Sequence, residues 1–242
     1  MSALAPVDVL VIGSGAAGLS AAVEATRAGA RVALATKGSI QANNSSKAQG
    51  GIQAAVGPAD SPEQHAADIM KSSRDTADPR LVAALAGDGP ATIAWLEELG
   101  CAFTKQDGGY RLAKAGGASQ PRLLQVGDRT GHAMTKALRE AFEASEALGL
   151  PEHALAALEP VAGGGGWRAT LQTGEGLVTV EAATVVLAAG GRCFAEAQRL
   201  GVLSTNHPNA TGEVTQLALD LGAQARDLDA LQYHPNGGAW PQ

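Results

Sequence analysis

Cysteine is nearly absent: the 242 residues include two, Cys101 and Cys193. They stand far apart and without metal-ligand spacing, which gives neither a disulfide framework nor a metal site and points to a reducing, cytoplasmic compartment. No apolar stretch reaches about 18 residues, so no segment is long enough to span a membrane. The opening Met1-Ser2-Ala3-Leu4-Ala5-Pro6 has no basic region, so no secretory leader is expected. Basic residues are few: 18 Lys and Arg stand against 24 Asp and Glu, for a formal net charge of −6. That balance argues against a nucleic-acid surface, which needs clustered cations. No internal repeat is present. Glycine and aliphatic residues are plentiful instead, with 31 glycines and 45% hydrophobic residues. This composition suits one substantial α/β core, and the length allows one or two domains.

The most informative stretch is Val7-Asp8-Val9-Leu10-Val11-Ile12-Gly13-Ser14-Gly15-Ala16-Ala17-Gly18. Its apolar run reads as a buried parallel strand, which breaks into three glycines before an Ala-rich helix over residues 19–28. Gly13 permits the tight strand-to-helix turn, Gly15 lets the backbone approach a pyrophosphate, and Gly18 lets the helix pack close to the strand. The helix N-terminus then presents unpaired N–H groups and a favourable dipole to a diphosphate. The motif indicates dinucleotide binding but does not separate FAD from NAD(P).

A second strand is expected over residues 31–36. About 20 residues after the glycines, an acid usually grips the NAD ribose; here Thr36-Lys37 stands in that place. Next comes Asn44-Ser45-Ser46-Lys47-Ala48-Gln49-Gly50-Gly51-Ile52, small and polar, which reads either as an ordinary loop or as backbone laid against a flat ring. Helices are expected over residues 61–76 and 79–99, a loop over 106–121, and a helix over 131–148 capped by Asp128 or Thr130. Residues 167–172 and 177–180 suggest a β-hairpin, and residues 184–188 a return to the main sheet that ends at Gly190-Gly191. The run 163–166, four glycines, reads as a turn.

Taken together, Gly13-Ser14-Gly15-Ala16-Ala17-Gly18-Leu19, Thr36-Lys37 and Ser45-Ser46-Lys47-Ala48-Gln49-Gly50-Gly51-Ile52 resemble the flavoprotein family of fumarate reductase, succinate dehydrogenase and L-aspartate oxidase. Further elements follow in the family's order and spacing. They are Trp95-Leu96-Glu97-Glu98-Leu99-Gly100, Gly127-Asp128-Arg129-Thr130-Gly131-His132, Val185-Val186-Leu187-Ala188-Ala189-Gly190-Gly191, Asn209-Ala210-Thr211-Gly212-Glu213 and Leu231-Gln232-Tyr233-His234-Pro235.

The resemblance implies an α/β, Rossmann-like FAD-binding fold of the two-dinucleotide-binding-domain type, with a β-meander insertion and a truncated C-terminal side. It implies an FAD-binding domain over residues 1–235, with 236–242 as the start of an otherwise absent capping domain. Ser14, Gly15, Ala16 and Ala17 would bind the diphosphate, with Gly13 and Gly18 shaping the turn; Lys37 would lie beside the adenosine, and Thr36 would contact the cofactor through its hydroxyl. Asn44, Ser45, Ser46, Lys47, Ala48, Gln49, Gly50 and Gly51 would surround the flavin. Gly190 and Gly191 would approach the dinucleotide, Glu213 would reach the ribityl chain, and His234 would hold a substrate carboxylate.

Three departures from the family matter. Asn44 stands where succinate dehydrogenase carries the histidine bonded to FAD, so the flavin here is expected to be non-covalent. Glu213 replaces the family's usual aspartate. Lys114-Ala115-Gly116-Gly117 lacks the glutamate with which aspartate oxidase meets its substrate's amino group. No catalytic acid or base is assigned, because the family's proton-transferring arginine belongs to the capping domain. The implied function is hydride transfer between flavin and a small dicarboxylate or amino acid, with the electron acceptor and any partner protein open. These residues alone are expected to bind flavin without turnover. The alternatives are a non-catalytic flavin-binding fragment and an NAD(P)-binding Rossmann enzyme.

Overall fold

A computed structural model describes residues 2–233 of the chain. Its centre is a seven-stranded mixed sheet. The short strand β1 (Ser2–Ala3) leads into β2 (Val7–Ile12), the expected buried strand; Leu10 and Val11 are fully buried. Helix α1 (Ala16–Arg27) crosses over to β3 (Val32–Ala35), all four residues of which are buried. The helix begins three residues earlier than its alanine pattern suggests, because Gly15 already serves as its N-cap.

After β3 the chain makes the one-turn helix α2 (Asn44–Lys47) and the two-residue strand β4 (Ile52–Gln53). Helices α3 (Pro62–Ser72) and α4 (Pro79–Glu98) follow, each with proline in the first turn and a side-chain N-cap, Ser61 and Asp78. A small hairpin, β5 (Lys105–Gln106) and β6 (Gly109–Tyr110), lies in the stretch read as loop. Strand β7 (Leu123–Leu124) then pairs antiparallel with β4.

Helix α5 spans Thr130–Glu143, not residues 131–148. Residues beyond its end form β8 (Leu148–Leu150), which pairs with β3. Burying Leu150 on the sheet edge outweighs the weak helical preference of this segment. Neither expected cap operates. Arg129 is the N-cap without a side-chain bond, and the Thr130 hydroxyl accepts from Val126 N (3.0 Å).

The meander is present as β9 (Ala154–Pro160), β10 (Trp167–Thr173) and β11 (Gly176–Leu187), with the glycine run 163–166 in the β9–β10 connection. Strand β11 merges two expected strands. Its first half pairs antiparallel with β10, and its second half runs parallel to β2 from Ala182↔Val7 to Leu187↔Ile12. The sheet order is β8-β3-β2-β11-β10-β9, with β1 also on β11. Helices α6 (Cys193–Leu200) and α7 (Glu213–Asp220) complete the described chain.

Alternation along β2 divides the core. Val11 faces Leu19, Val23, Leu138 and Phe142 from α1 and α5, whereas Leu10 and Ile12 face Leu155, Leu171 and Val180 of the meander. The parallel strands β3, β2 and β11 therefore end together at Ala35, Ile12 and Leu187, with a helix starting after β2. The chain leaves β2 towards β3 on one side and returns to β11 on the other, so this edge is the topological switch point at which open α/β sheets bind ligands.

Candidate functional site

The cleft opens where the strand ends meet α1. Gly13 adopts φ +108°, and a Cβ there would lie 2.5 Å from Ala188 O. A Cβ on Gly18 would lie 1.8 Å from Gly13 O, which fixes how closely the helix abuts the loop. Gly15 is different: its Cβ would meet only Ser45 Oγ, at 3.3 Å, with the cleft in front of it. Two of the three glycines thus serve packing and one serves open space.

The start of α1 leaves backbone amides unpaired within the helix. Leu19 N makes the first bond of the α1 ladder, to Gly15 O (3.0 Å), so the amides before it lie outside the ladder. Ala16 N donates to Ser45 Oγ (3.1 Å), while Gly15 and Ala17 line the cleft. The first turn of α1 carries no acidic residue, so nothing in the helix itself offsets its positive end.

Around this terminus the structure gathers Gly13, Ser14, Gly15, Ala16 and Ala17 with Thr36 and Lys37, Asn44 and Ser45, Gly190 and Gly191, and Glu213, all lining one cleft. Ser14 is buried and donates to the Thr36 hydroxyl (3.2 Å), so that hydroxyl is already engaged by the protein. Gly190 adopts φ +73° and has open space beside it, as does Gly191. Lys37 forms an ion pair with Glu213 and donates to Thr211 Oγ1 (2.5 Å). Burial pushes the Glu213 carboxyl up, but the bonds from Lys37 and Thr211 outweigh it and hold its pKa below the usual carboxylate value.

The remaining expected residues lie elsewhere. Gly18 sits beneath the loop. Ser46 donates to Gln41 O (2.9 Å) and Asn43 O (2.8 Å), and Lys47 donates to Thr205 O (2.9 Å). Ala48, Gln49, Gly50 and Gly51 are exposed and do not line the cleft. Their path is nonetheless fixed: Gly131 N donates to Ala48 O (2.8 Å), and Gln125 Nε2 donates to Gly50 O (2.9 Å). His234 lies outside the described residues.

Some cleft residues escaped the sequence reading. Asn43 caps α2 by accepting from Ser46 N (2.9 Å) and ties it to the glycine loop by donating to Ser14 O (3.0 Å). Its place ahead of Ser45-Ser46 is a legible capping signal. His153, just before β9, and His207 also line the cleft; no local pattern marks either. Asn44 accepts from His207 N (2.6 Å) and donates to Asn206 Oδ1 (3.1 Å), joining α2 to the outer wall. Among the described residues, no group of three His, Cys, Asp or Glu side chains could hold a metal ion. No helix among them is long and apolar enough to cross a membrane.

Known proteins share this architecture. The chain is 36% identical over 237 residues to an L-aspartate oxidase of Streptomyces coelicolor, covering 94% of this chain and 40% of that protein. It is 32% identical to a fumarate reductase (CoM/CoB) polypeptide from Methanothermobacter marburgensis, covering 97% of this chain and 43% of the relative. A solved structure of a mutated E. coli quinol fumarate reductase FrdA superposes with a TM-score of 0.90 at 27% identity, over 98% of this chain and 40% of that one. The chain therefore spans about 40% of the length of these relatives. The family described as FAD binding domain matches residues 8–240, and the cleft, fold and relatives agree with it: the chain belongs to this FAD-binding family.

Proposed function

We propose that the chain is the cofactor-binding part of a flavin-dependent oxidoreductase that moves a hydride between FAD and a small carboxylate. The observation that carries this reading is the α1 terminus. A helix N-terminus with no acid in its first turn, amides outside the ladder and a missing Cβ at Gly15 converge on one open cleft. Those residues fit a dinucleotide. Gly15, Ala16 and Ala17 would hold the diphosphate, and Lys37 with Glu213 would border the adenosine and ribityl portions. Residues 48–51 would approach the ring.

FAD, when bound, supplies an isoalloxazine that accepts or gives a hydride. The protein's part is positional. Backbone amides fix the dinucleotide, and cationic groups in the whole enzyme hold the substrate carboxylate against it. His234 is our candidate for one such contact. Asn44 has an amide and no nucleophilic nitrogen, so attachment is non-covalent. Two free thiols, Cys101 and Cys193, suit a reducing compartment.

Adding FAD to the flavin-free chain tests this reading. Saturable quenching of flavin fluorescence supports it, and its absence at high micromolar FAD overturns it. Relatives named both as L-aspartate oxidase and as fumarate reductase leave an amino acid or a dicarboxylate as substrate. Ala115, in place of the glutamate expected to meet an amino group, favours the dicarboxylate.

A further inference from the structure

The stretch 48–51 lies outside any strand or helix and is held by bonds from its neighbours Gly131 and Gln125. The β4–β7 ladder beneath it is two residues per strand, Ile52↔Leu124 and Gln53↔Leu123, too short to fix a register by itself. The residue preceding β7 is Arg122, whose side chain is fully buried. Its guanidinium donates to both oxygens of Asp60 (Nε 2.8 Å, Nη2 2.7 Å) and to Asp68 Oδ2 (Nη1 2.7 Å). Asp68 also accepts from Ser119 N (2.7 Å) and Ser119 Oγ (2.8 Å), which closes the network onto α3 and its preceding loop. The backbone of Arg122 reaches the other way: its carbonyl accepts from Ala54 N (3.0 Å), directly after β4.

The cluster is charged and enclosed. Burial works against the Arg122 charge, but Asp60 and Asp68 outweigh it and raise its pKa. His65, 3% exposed, lies beside them with Nδ1 unpartnered. A buried ion cluster is weak evidence of stability, since well-packed apolar residues often do as well; its better-attested use is to specify one arrangement.

We infer that Arg122 is a positioning residue for residues 48–51, the stretch that the proposed function brings to the flavin ring from outside the cleft lining, and that it acts through the β4–β7 ladder. The path is continuous. The Asp60 and Asp68 carboxylates fix the guanidinium, and the Arg122 carbonyl fixes Ala54. A Cβ on Gly51 would lie 2.5 Å from Leu124 O, so that backbone follows β7 closely. Gln125, just beyond β7, holds Gly50 O (2.9 Å). The glycine loop and α1 have no direct contact with this cluster among the hydrogen bonds of the described residues. Disturbing it should therefore loosen the ring end of the ligand and spare the diphosphate end.

This inference rests on the cleft taking FAD, and the test separates the two. ADP carries only the adenosine diphosphate half, so FAD and ADP are titrated in parallel against the 242-residue chain and Arg122→Lys, with visible circular dichroism of the flavin. Failure of the unaltered chain to bind FAD removes the underlying reading before any variant is compared, and this inference with it. Given that binding, Arg122→Lys should weaken FAD about tenfold, the worth of one misplaced hydrogen bond. ADP affinity should hold within about twofold, and the flavin dichroism should move towards that of free FAD. Equal loss of both ligands, or loss of neither, overturns the assignment. Should Arg122→Lys not fold, Gln125→Ala, which removes only the Gly50 tether, must weaken FAD and spare ADP; unchanged FAD affinity there overturns it as well.

Discussion

Adding one methyl group to each glycine of the 13–18 loop should give two different phenotypes. At Gly18 the new Cβ would lie 1.8 Å from Gly13 O and 2.9 Å from Gly13 C, both backbone atoms that cannot rotate aside. Gly13 adds a φ of +108° to a 2.5 Å approach to Ala188 O. Overpacking costs typically about 1–3 kcal/mol, and a rigid neighbour puts these two sites at the upper end. For a chain of this size about 3 kcal/mol lowers Tm by roughly 6–12 °C. Gly15→Ala differs, since φ is −70° and only Ser45 Oγ lies near, at 3.3 Å. Alanine is a poor N-cap, but it also restricts the unfolded chain by about 0.4–1 kcal/mol, so the two effects largely cancel. The methyl instead fills the cleft where the diphosphate would approach. Loss of one charge-assisted bond, about 1.5–3 kcal/mol, weakens FAD roughly tenfold to a hundredfold, and the branched Gly15→Val should abolish binding. Thermal unfolding of the flavin-free variants, paired with FAD titration, reads both effects. The reasoning is wrong if Gly15→Ala loses as much Tm as Gly18→Ala, or if Gly15→Val keeps stoichiometric flavin.

Further outcomes follow from the same structure. Acid precipitation of the flavin-loaded chain should leave all flavin in the supernatant, because Asn44 offers no nucleophile; fluorescence in the denatured protein band would contradict this. A thiol reagent should modify Cys193 promptly and leave Cys101 untouched until denaturation, since burial, then the charge of Glu97, pushes the Cys101 thiol up to about 11. Tyr110 is pushed up to about 12, chiefly by its hydrogen bond to Glu97 and then by burial. Its contribution to stability is therefore full below the ordinary tyrosine value of about 10 and lost as pH rises through the folded value. Spectrophotometric titration should show a late phase that Tyr110→Phe removes. Mixing the flavin-loaded chain anaerobically with succinate or aspartate should leave the flavin band intact, because the chain spans only about 40% of the length of its relatives and losing general acid–base catalysis alone costs about 10² to 10⁴-fold. Bleaching within seconds would show that these residues suffice.

How much could be read beforehand depended on whether the determinant was local. The β2–α1 turn was legible because each glycine answers to a nearby atom, Gly18 to Gly13 and Gly15 to open space. Helices α3 and α4 were legible in place, with Pro62 at the first start and Gly100 after the second, although α3 stops at Ser72, four residues short of the expected 76. Strand β8 was not, since Leu148–Leu150 becomes a strand only by pairing with β3, more than a hundred residues away. The unity of β11 was hidden for the same reason: its two halves have different partners, and sequence shows partners poorly. In the cleft, Lys37 was expected at the adenosine side, but the Lys37–Glu213 pair joins residues 176 positions apart. Gly131, within Gly127-Asp128-Arg129-Thr130-Gly131-His132, has no local partner that marks its role. Its Cβ would fall 2.0 Å from Ser45 O, which is what seats α5 against α2.

The central claim is that the cleft at the α1 terminus takes FAD rather than a nicotinamide dinucleotide. Equilibrium titration of the flavin-free chain with FAD, NAD⁺ and NADP⁺, with ADP as competitor, tests it most directly. One FAD should bind per chain, displaced by excess ADP, with no saturable binding of either nicotinamide. Saturation by NAD⁺ or NADP⁺ with FAD left free would contradict it.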